Sequence, residues 1–420
     1  MCVEKKNFPY KRTCLLMLLL VMMAVKALAD EPIDTLQRIG FTIYGGPTWQ
    51  LGMDRYERKW LRGKNGMVLG AEVNVPTWGR PDAEAIDRDY GFPTLSFGMK
   101  LSLNTGVTLR RTADPAWGKA EMVDYDSRLG NFLTLYGAFD RPIFRSGRWQ
   151  LDYTLRTGIS YGTRPYDKEN NVDNELIGSR LNIYFGAGLT ASYRFADEWS
   201  LMAGVLYGHH SNGALARPNK GENHVGPVIG IRHLPNPTAH PAKSPSFGEN
   251  EGGFFANFRF GLGAKTLLED WQTTQFRTDP TDPDYRTEHF RLYAAYSLSA
   301  DVMYRYARRW ASGIGCDLFY GTYYNDIPQQ NTYTSPWSVG IAARHEAYYH
   351  RLSCDMALGF YLFRHMGDHA REVEKPYYER VGLSYSFPKW GLRVGFSIKA
   401  HLTKADLTEI VVGFPLRLSH

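Results

Sequence analysis

Apolar and polar side chains alternate with a period of two through long stretches of this chain. From Leu181 to Phe195 the odd positions Leu181, Ile183, Phe185, Ala187, Leu189, Ala191, Tyr193 and Phe195 are all apolar or aromatic. The even positions between them are polar or small apart from Tyr184. Successive side chains of a strand point to opposite faces, so the pattern describes a strand with one apolar face. It runs unbroken over residues 181–195, longer than the ~5–6 residues usual in a soluble sheet. A tilted strand needs ~9–11 residues to cross a bilayer. The same alternation returns over Leu392–Leu402 and Ile410–Leu418, and an apolar, strand-forming end suits a barrel closed by its last strand.

Applied along the chain, the pattern predicts sixteen strands, at 39–50, 67–75, 93–104, 131–144, 149–163, 181–195, 199–212, 223–234, 254–267, 291–307, 310–324, 333–349, 351–363, 377–388, 392–403 and 406–418. The connections mostly alternate between short and long, as periplasmic turns and extracellular loops do in outer-membrane barrels. With a periplasmic start, the 213–222 loop falls on the extracellular side. Segments 76–92 and 236–253 are long yet fall on the periplasmic side. The expected architecture is all-β: one transmembrane antiparallel barrel of about sixteen strands (12–16 fit the pattern) formed by residues 30–420. A split near 236–253 is the other arrangement the pattern permits, and it requires two small barrels.

The first residues read differently. Lys5, Lys6, Lys11 and Arg12 precede an apolar stretch from Cys14 to Val25, and Ala27-Leu28-Ala29 supplies small residues where a signal peptidase cuts. Residues 1–29 are therefore expected to be a cleaved signal peptide, since the apolar stretch is short of the ~20 residues of a spanning helix. Removing them takes away five basic groups and one acidic group and lowers the net charge from +6 to +2. The basic balance thus gives no argument for nucleic-acid binding. Cys316 and Cys354 remain, on strands that are not expected to be neighbours, and read as free cysteines. A mean hydropathy of −0.38 fits a barrel as well as a soluble protein, because only half of each strand faces lipid.

Candidate chemistry concentrates at Tyr207-Gly208-His209-His210-Ser211-Asn212-Gly213. His209 and Ser211 are two residues apart and share one face, continuing the apolar row Leu201, Ala203, Val205 and Tyr207. A histidine beside a serine is what activation of a hydroxyl nucleophile requires, although polar residues are also ordinary at the outer ends of barrel strands. His345-Glu346 with His350 lacks the helical spacing of a zinc site, and His365, Asp368 and His369 read as a solvated loop. No metal and no cofactor is expected.

The longer string, His209-His210-Ser211-Asn212-Gly213 followed by Pro218-Asn219-Lys220-Gly221, resembles the signature of the lipid A 3-O-deacylase family. It is most similar to the long, acyloxyacyl hydrolase-like members of Bacteroidetes-type bacteria. Segments 142–149, 158–161, 398–402 and 404–406 resemble those proteins too. The resemblance implies an outer-membrane serine hydrolase with its site on the outer wall of the barrel, removing an ester-linked acyl chain from lipid A of lipopolysaccharide. It implies Ser211 as nucleophile, His209 as base, and Asn212 or Asn219 as support for the oxyanion. The family's acid, a glutamate in its small members, falls in register at Asn223, with Glu222 one residue early. Strand parity puts Asn223 on the outer wall with His209 and leaves Glu222 facing inward, unless Gly221 lets it swing out. Arg217 and Lys220 could meet lipid phosphates or be ordinary loop residues. A channel or lipid-binding scaffold, and a phospholipid hydrolase, are the alternative readings; a sixteen-stranded barrel is wide enough for an aqueous lumen.

Overall fold

The computed structural model describes residues 39–78, 85–235, 252–326, 335–364, 375–402 and 404–418. The expected signal peptide and His365, Asp368 and His369 lie outside the described residues.

Every expected strand has a counterpart. The first eight are β1 Gly40–Gln50, β2 Leu61–Pro76, β3 Thr94–Leu109, β5 Phe132–Ser146, β6 Trp149–Gly162, β7 Leu181–Arg194, β8 Trp199–Ser211 and β9 Glu222–His233. A two-residue strand, β4 Ser127–Arg128, pairs only with the end of β3. The second eight are β10 Gly253–Lys265, β11 Tyr293–Ala307, β12 Trp310–Gly321, β13 Trp337–Tyr349, β14 Leu352–Arg364, β15 Tyr377–Phe387, β16 Leu392–His401 and β17 Lys404–Arg417.

The strands close into two barrels of eight, which corrects the single sixteen-stranded barrel. Instead of pairing with β10, β9 returns to β1, with Phe41 opposite His233 and Gln50 opposite His224. Likewise β17 closes on β10, with Phe255 opposite Arg417. Segment 236–253 therefore falls between the closing strand of one barrel and the first strand of the next, which explains its length on the turn side.

Eight strands leave an interior that side chains fill, so the wide aqueous lumen expected of sixteen strands is corrected as well. In the first barrel Arg156 bonds the Tyr44 hydroxyl at 2.9 Å and Glu72 at 2.8 Å. In the second, Arg344 bridges Asp301 (2.9 Å) and Asp317 (2.6 Å), and Arg380 meets Asp317 at 2.7 Å. The outer faces are apolar: Leu189, Val205 and Ile229 on one barrel and Phe258, Ile314 and Ile410 on the other stand exposed. A polar interior within an apolar exterior is the distribution of barrels that face lipid.

The barrels touch at both ends. Call the end that carries the 212–221 loop the upper one. At the lower end, the other long segment holds helix α2 (Ala85–Asp89). Its Asp87 accepts from Tyr349 at 2.7 Å and pairs with His350 at 3.0 Å, while Asp89 pairs with Arg308 at 3.2 Å. The segment is long because it reaches the turns of the second barrel. At the upper end, helix α3 (Leu268–Phe276) in the β10–β11 loop lies across loops of the first barrel. Trp271 packs with Tyr166 and Val172, and the Phe276 carbonyl accepts from Lys119 N–H at 2.8 Å. Cys316 and Cys354 are free.

Candidate active site on the wall of the first barrel

The site forms where β8 ends and β9 begins. Antiparallel pairing sets His209 opposite Asn223 and His210 opposite Glu222. Because side chains alternate between faces, the two pairs lie on opposite sides of one sheet. His209 and Asn223 lie on the outer face. His210 and Glu222 are fully buried in the interior.

On the outer face, His209 Nδ1 lies 2.8 Å from Asn223 Oδ1. The same oxygen accepts from the Tyr207 hydroxyl at 2.6 Å. Asn223 Nδ2 donates to the Gly221 carbonyl at 3.3 Å. These three bonds fix which way the amide points. An amide oxygen only accepts, so His209 must carry its proton on Nδ1. Nε2 is then a lone-pair acceptor, and it forms no hydrogen bond among the described residues. Ser211 follows on the same face, roughly 6.6 Å along the strand by strand rise, and is buried.

Inside the barrel, Glu222 accepts from His210 Nδ1 at 2.5 Å and from His224 Nδ1 at 2.7 Å. His210 stacks on Phe132 with ring centroids 4.4 Å apart. Both carboxylate oxygens of Glu222 are engaged on the lumen side, away from His209. His210, Glu222 and His224 also approach closely enough to share a metal ion; here the carboxylate engages Nδ1 of both rings. His345, another histidine singled out in the sequence, bonds Ser312 at 2.9 Å, while Glu346 faces the lumen and meets Arg393 at 2.8 Å.

The loop that joins the two strands is held by the second barrel. The Thr408 hydroxyl donates to the Gly213 carbonyl at 2.7 Å. Thr266 donates to the Ala214 carbonyl from its backbone N–H at 2.8 Å and its hydroxyl at 2.9 Å. Arg217 answers by donating to the Thr266 carbonyl at 2.7 Å, and burial pulls its guanidinium down to about 10. Within the loop, Asn219 Oδ1 accepts from Asn212 N–H at 3.0 Å. Asn212 Oδ1 accepts from Ala216 N–H at 3.3 Å, and its Nδ2 is buried without an acceptor. Lys220 lies 3.2 Å from Asp54 and 4.6 Å above the Trp60 ring.

Gly221 is needed for two reasons. Its φ is +82°, and a Cβ there would stand 2.6 Å from His209 Cε1. Sequence reasoning did not single out Tyr207 as a site residue, although its parity, two residues before His209, was a sufficient signal. Thr266 and Thr408 left no such signal, because they lie on strands and turns of the other barrel.

Two protein-family models match successive parts of the chain. Lipid A 3-O-deacylase (PagL) matches residues 93–232, and acyloxyacyl hydrolase, C-terminal domain, matches residues 255–418. A search of curated proteins finds no match. Among solved structures, that of the outer membrane enzyme PagL is 16% identical and covers 46% of this chain and 97% of its own, with a TM-score of 0.27. A Rhodopseudomonas blastica porin is 8% identical over 90% of this chain and 99% of its own, with a TM-score of 0.15. The NanC porin is 6% identical over 90% and 100%, with a TM-score of 0.16.

Proposed function

We propose that this chain is an outer-membrane esterase that removes an ester-linked acyl chain from lipid A, a reading supported by the lipid A 3-O-deacylase (PagL) model over residues 93–232 of the first barrel and the acyloxyacyl hydrolase C-terminal model over residues 255–418 of the second. One observation supports the reading: His209 Nδ1 is engaged by Asn223 Oδ1 at 2.8 Å, which leaves Nε2 without a partner among the described residues, two positions from Ser211 on the same strand.

In this mechanism His209 Nε2 takes the proton of the Ser211 hydroxyl as Oγ attacks the ester carbonyl. The imidazolium that develops is steadied through Nδ1–H by Asn223, itself locked by Tyr207 and Gly221. A side-chain amide, from Asn212 or Asn219, donates to the oxyanion; the unpartnered Nδ2 of Asn212 is available for this. Collapse expels the sugar hydroxyl, which regains the proton from His209, and leaves an acyl-serine for water to hydrolyse. The substrate's acyl chains remain in the lipid beside the apolar row Leu201, Ala203 and Val205 below the site.

Mass spectrometry of lipid A tests the proposal in cells that express wild type or Ser211→Ala. Loss of one acyl chain with wild type alone is expected. Identical lipid A in both, with both proteins folded in the outer membrane, would defeat it.

A further inference from the structure

Beside the wall site, a cavity of about 620 Å³ opens at the upper end between the two barrels. The first barrel lines it with Trp60, Arg217, Asn219 and Lys220, and the second with Lys265 and Lys404 among others. Its size falls within the ~300–1,000 Å³ of sites that enclose small ligands. The catalytic loop is one of its walls. Asn219 faces the cavity while its Oδ1 holds the backbone next to Ser211.

The charges in it are unevenly met. Lys265 is paired with Asp406, and Lys220 with Asp54 and Glu175. Arg217 donates to a backbone carbonyl and forms no ion pair among the described residues. Lys404 has no hydrogen bond or ion pair among them either; it lies within electrostatic reach of one carboxylate, Asp54, and of three cations, Lys220, Lys375 and Arg217. Arg217, Lys220, Lys265, Arg277 and Lys404 face the cavity against Asp54, Glu175, Glu269 and Asp406, and Arg217 and Lys404, which form no ion pair among the described residues, are open to an anion. The rest of the lining suits a sugar. Indole rings offer apolar faces, the buried Trp60 Nε1–H has no acceptor, and Asp54, Glu175 and Gln272 offer acceptors for hydroxyls.

We propose that this inter-barrel cavity binds the phosphorylated sugar head group of the lipid whose ester reaches Ser211, and that Lys404 of the second barrel is a phosphate contact. The assignment rests on the deacylase reading and deepens it. Binding energy from a remote head group is then available to hold the ester at the nucleophile. It also gives the second barrel a part in substrate recognition, since neither barrel encloses the cavity alone.

The test reads binding rather than turnover. A bisphosphorylated glucosamine disaccharide without acyl chains is titrated into the full-length Ser211→Ala protein in detergent, and tryptophan fluorescence is followed. Saturable binding is expected, weakened at least tenfold by Lys404→Glu and largely restored by Lys404→Arg, with both variants melting as the parent does. The unphosphorylated disaccharide should bind at least tenfold more weakly, and inorganic phosphate should compete. Absence of saturable binding, equal binding by folded Lys404→Glu, or equal binding of the unphosphorylated sugar would overturn the proposal. Deacylation is scored separately on whole lipopolysaccharide with and without Ser211→Ala, so either idea can fail while the other stands.

Discussion

Asn223→Ala removes the oxygen that accepts from both His209 and Tyr207. In the resting site His209 donates to it as a neutral ring, a bond contributing ~1 kcal/mol net. Once Nε2 has taken the serine proton the donor is a cation, and such bonds contribute ~1.5–3 kcal/mol. Only the increment, roughly 0.5–2 kcal/mol, lowers the barrier. At about 1.4 kcal/mol per factor of ten, that is a ~2–30-fold effect on kcat, and loss of ring orientation moves the expectation toward the upper end. Asn223→Ala should therefore lower kcat by roughly tenfold with little change in KM, and Asn223→Asp, which keeps the acceptor, should exceed it. The assay is fatty-acid release from purified lipopolysaccharide by the detergent-solubilised enzyme, with kcat and KM resolved. Wild-type kcat in Asn223→Ala, together with lost activity in a folded Glu222→Gln protein, would refute the assignment and make Glu222 the orienter.

Three further outcomes are expected. Gly221→Ala should lower activity at least tenfold with the barrel still folded, because the new methyl would strike His209 Cε1 at 2.6 Å from a backbone at φ +82°; near-normal activity would show that the ring is free to give way. Burial pushes the Glu57 carboxyl up from 4.5 to about 7 in the short upper helix α1 (Arg55–Trp60). The folded form thus holds its proton more tightly than the unfolded one, and α1 loses that stabilisation as pH rises from about 4.5 to about 7. Hydrogen exchange at its amides, corrected for intrinsic rate, should accelerate between pH 5 and 8 and lose this dependence in Glu57→Gln; the same acceleration in Glu57→Gln would assign it elsewhere. A cysteine replacing exposed Leu215, in a background lacking Cys316 and Cys354, should react with an impermeant maleimide on intact cells. Reaction only after permeabilisation would invert the topology.

Alternation made the strands legible because a barrel strand sorts its residues between lipid and lumen at every step. The clearest misjudged boundary is instructive. Residues 61–66 belong to β2 but lay outside the expected 67–75 strand, and there the register against β3 slips between Leu61 and Gly63 and again between Asn65 and Met67. Bulges break the period of two on which the reading depends. The number of barrels had no local trace. Whether β9 meets β1 or β10 leaves the pattern of each strand unaltered, so closure was visible only indirectly, in a long segment on the side of short turns. Within the site, parity placed His209, Ser211 and Asn223 on one face and Glu222 on the other, and the structure sets them so. The supports from the second barrel, Thr266 and Thr408, were not legible, since distant contacts leave no spacing to read.

The chain between His233 and Gly253 has a thermodynamic consequence. Joining two barrels covalently turns their association into an intramolecular event, governed by an effective concentration rather than by the concentration of free partners. Contacts such as Asp87 with His350 and Asp89 with Arg308 then need not supply the affinity of a free-standing dimer, and partly exposed ion pairs contribute only ~0–1 kcal/mol each. The seam is thereby released from the apolar burial that obligate partners require, and its upper part is free to be hollow and charged. A protein cut within 236–251 would keep every strand and both closures. Its halves would meet only as separate molecules, and occupancy of the space between them would come to depend on their concentration.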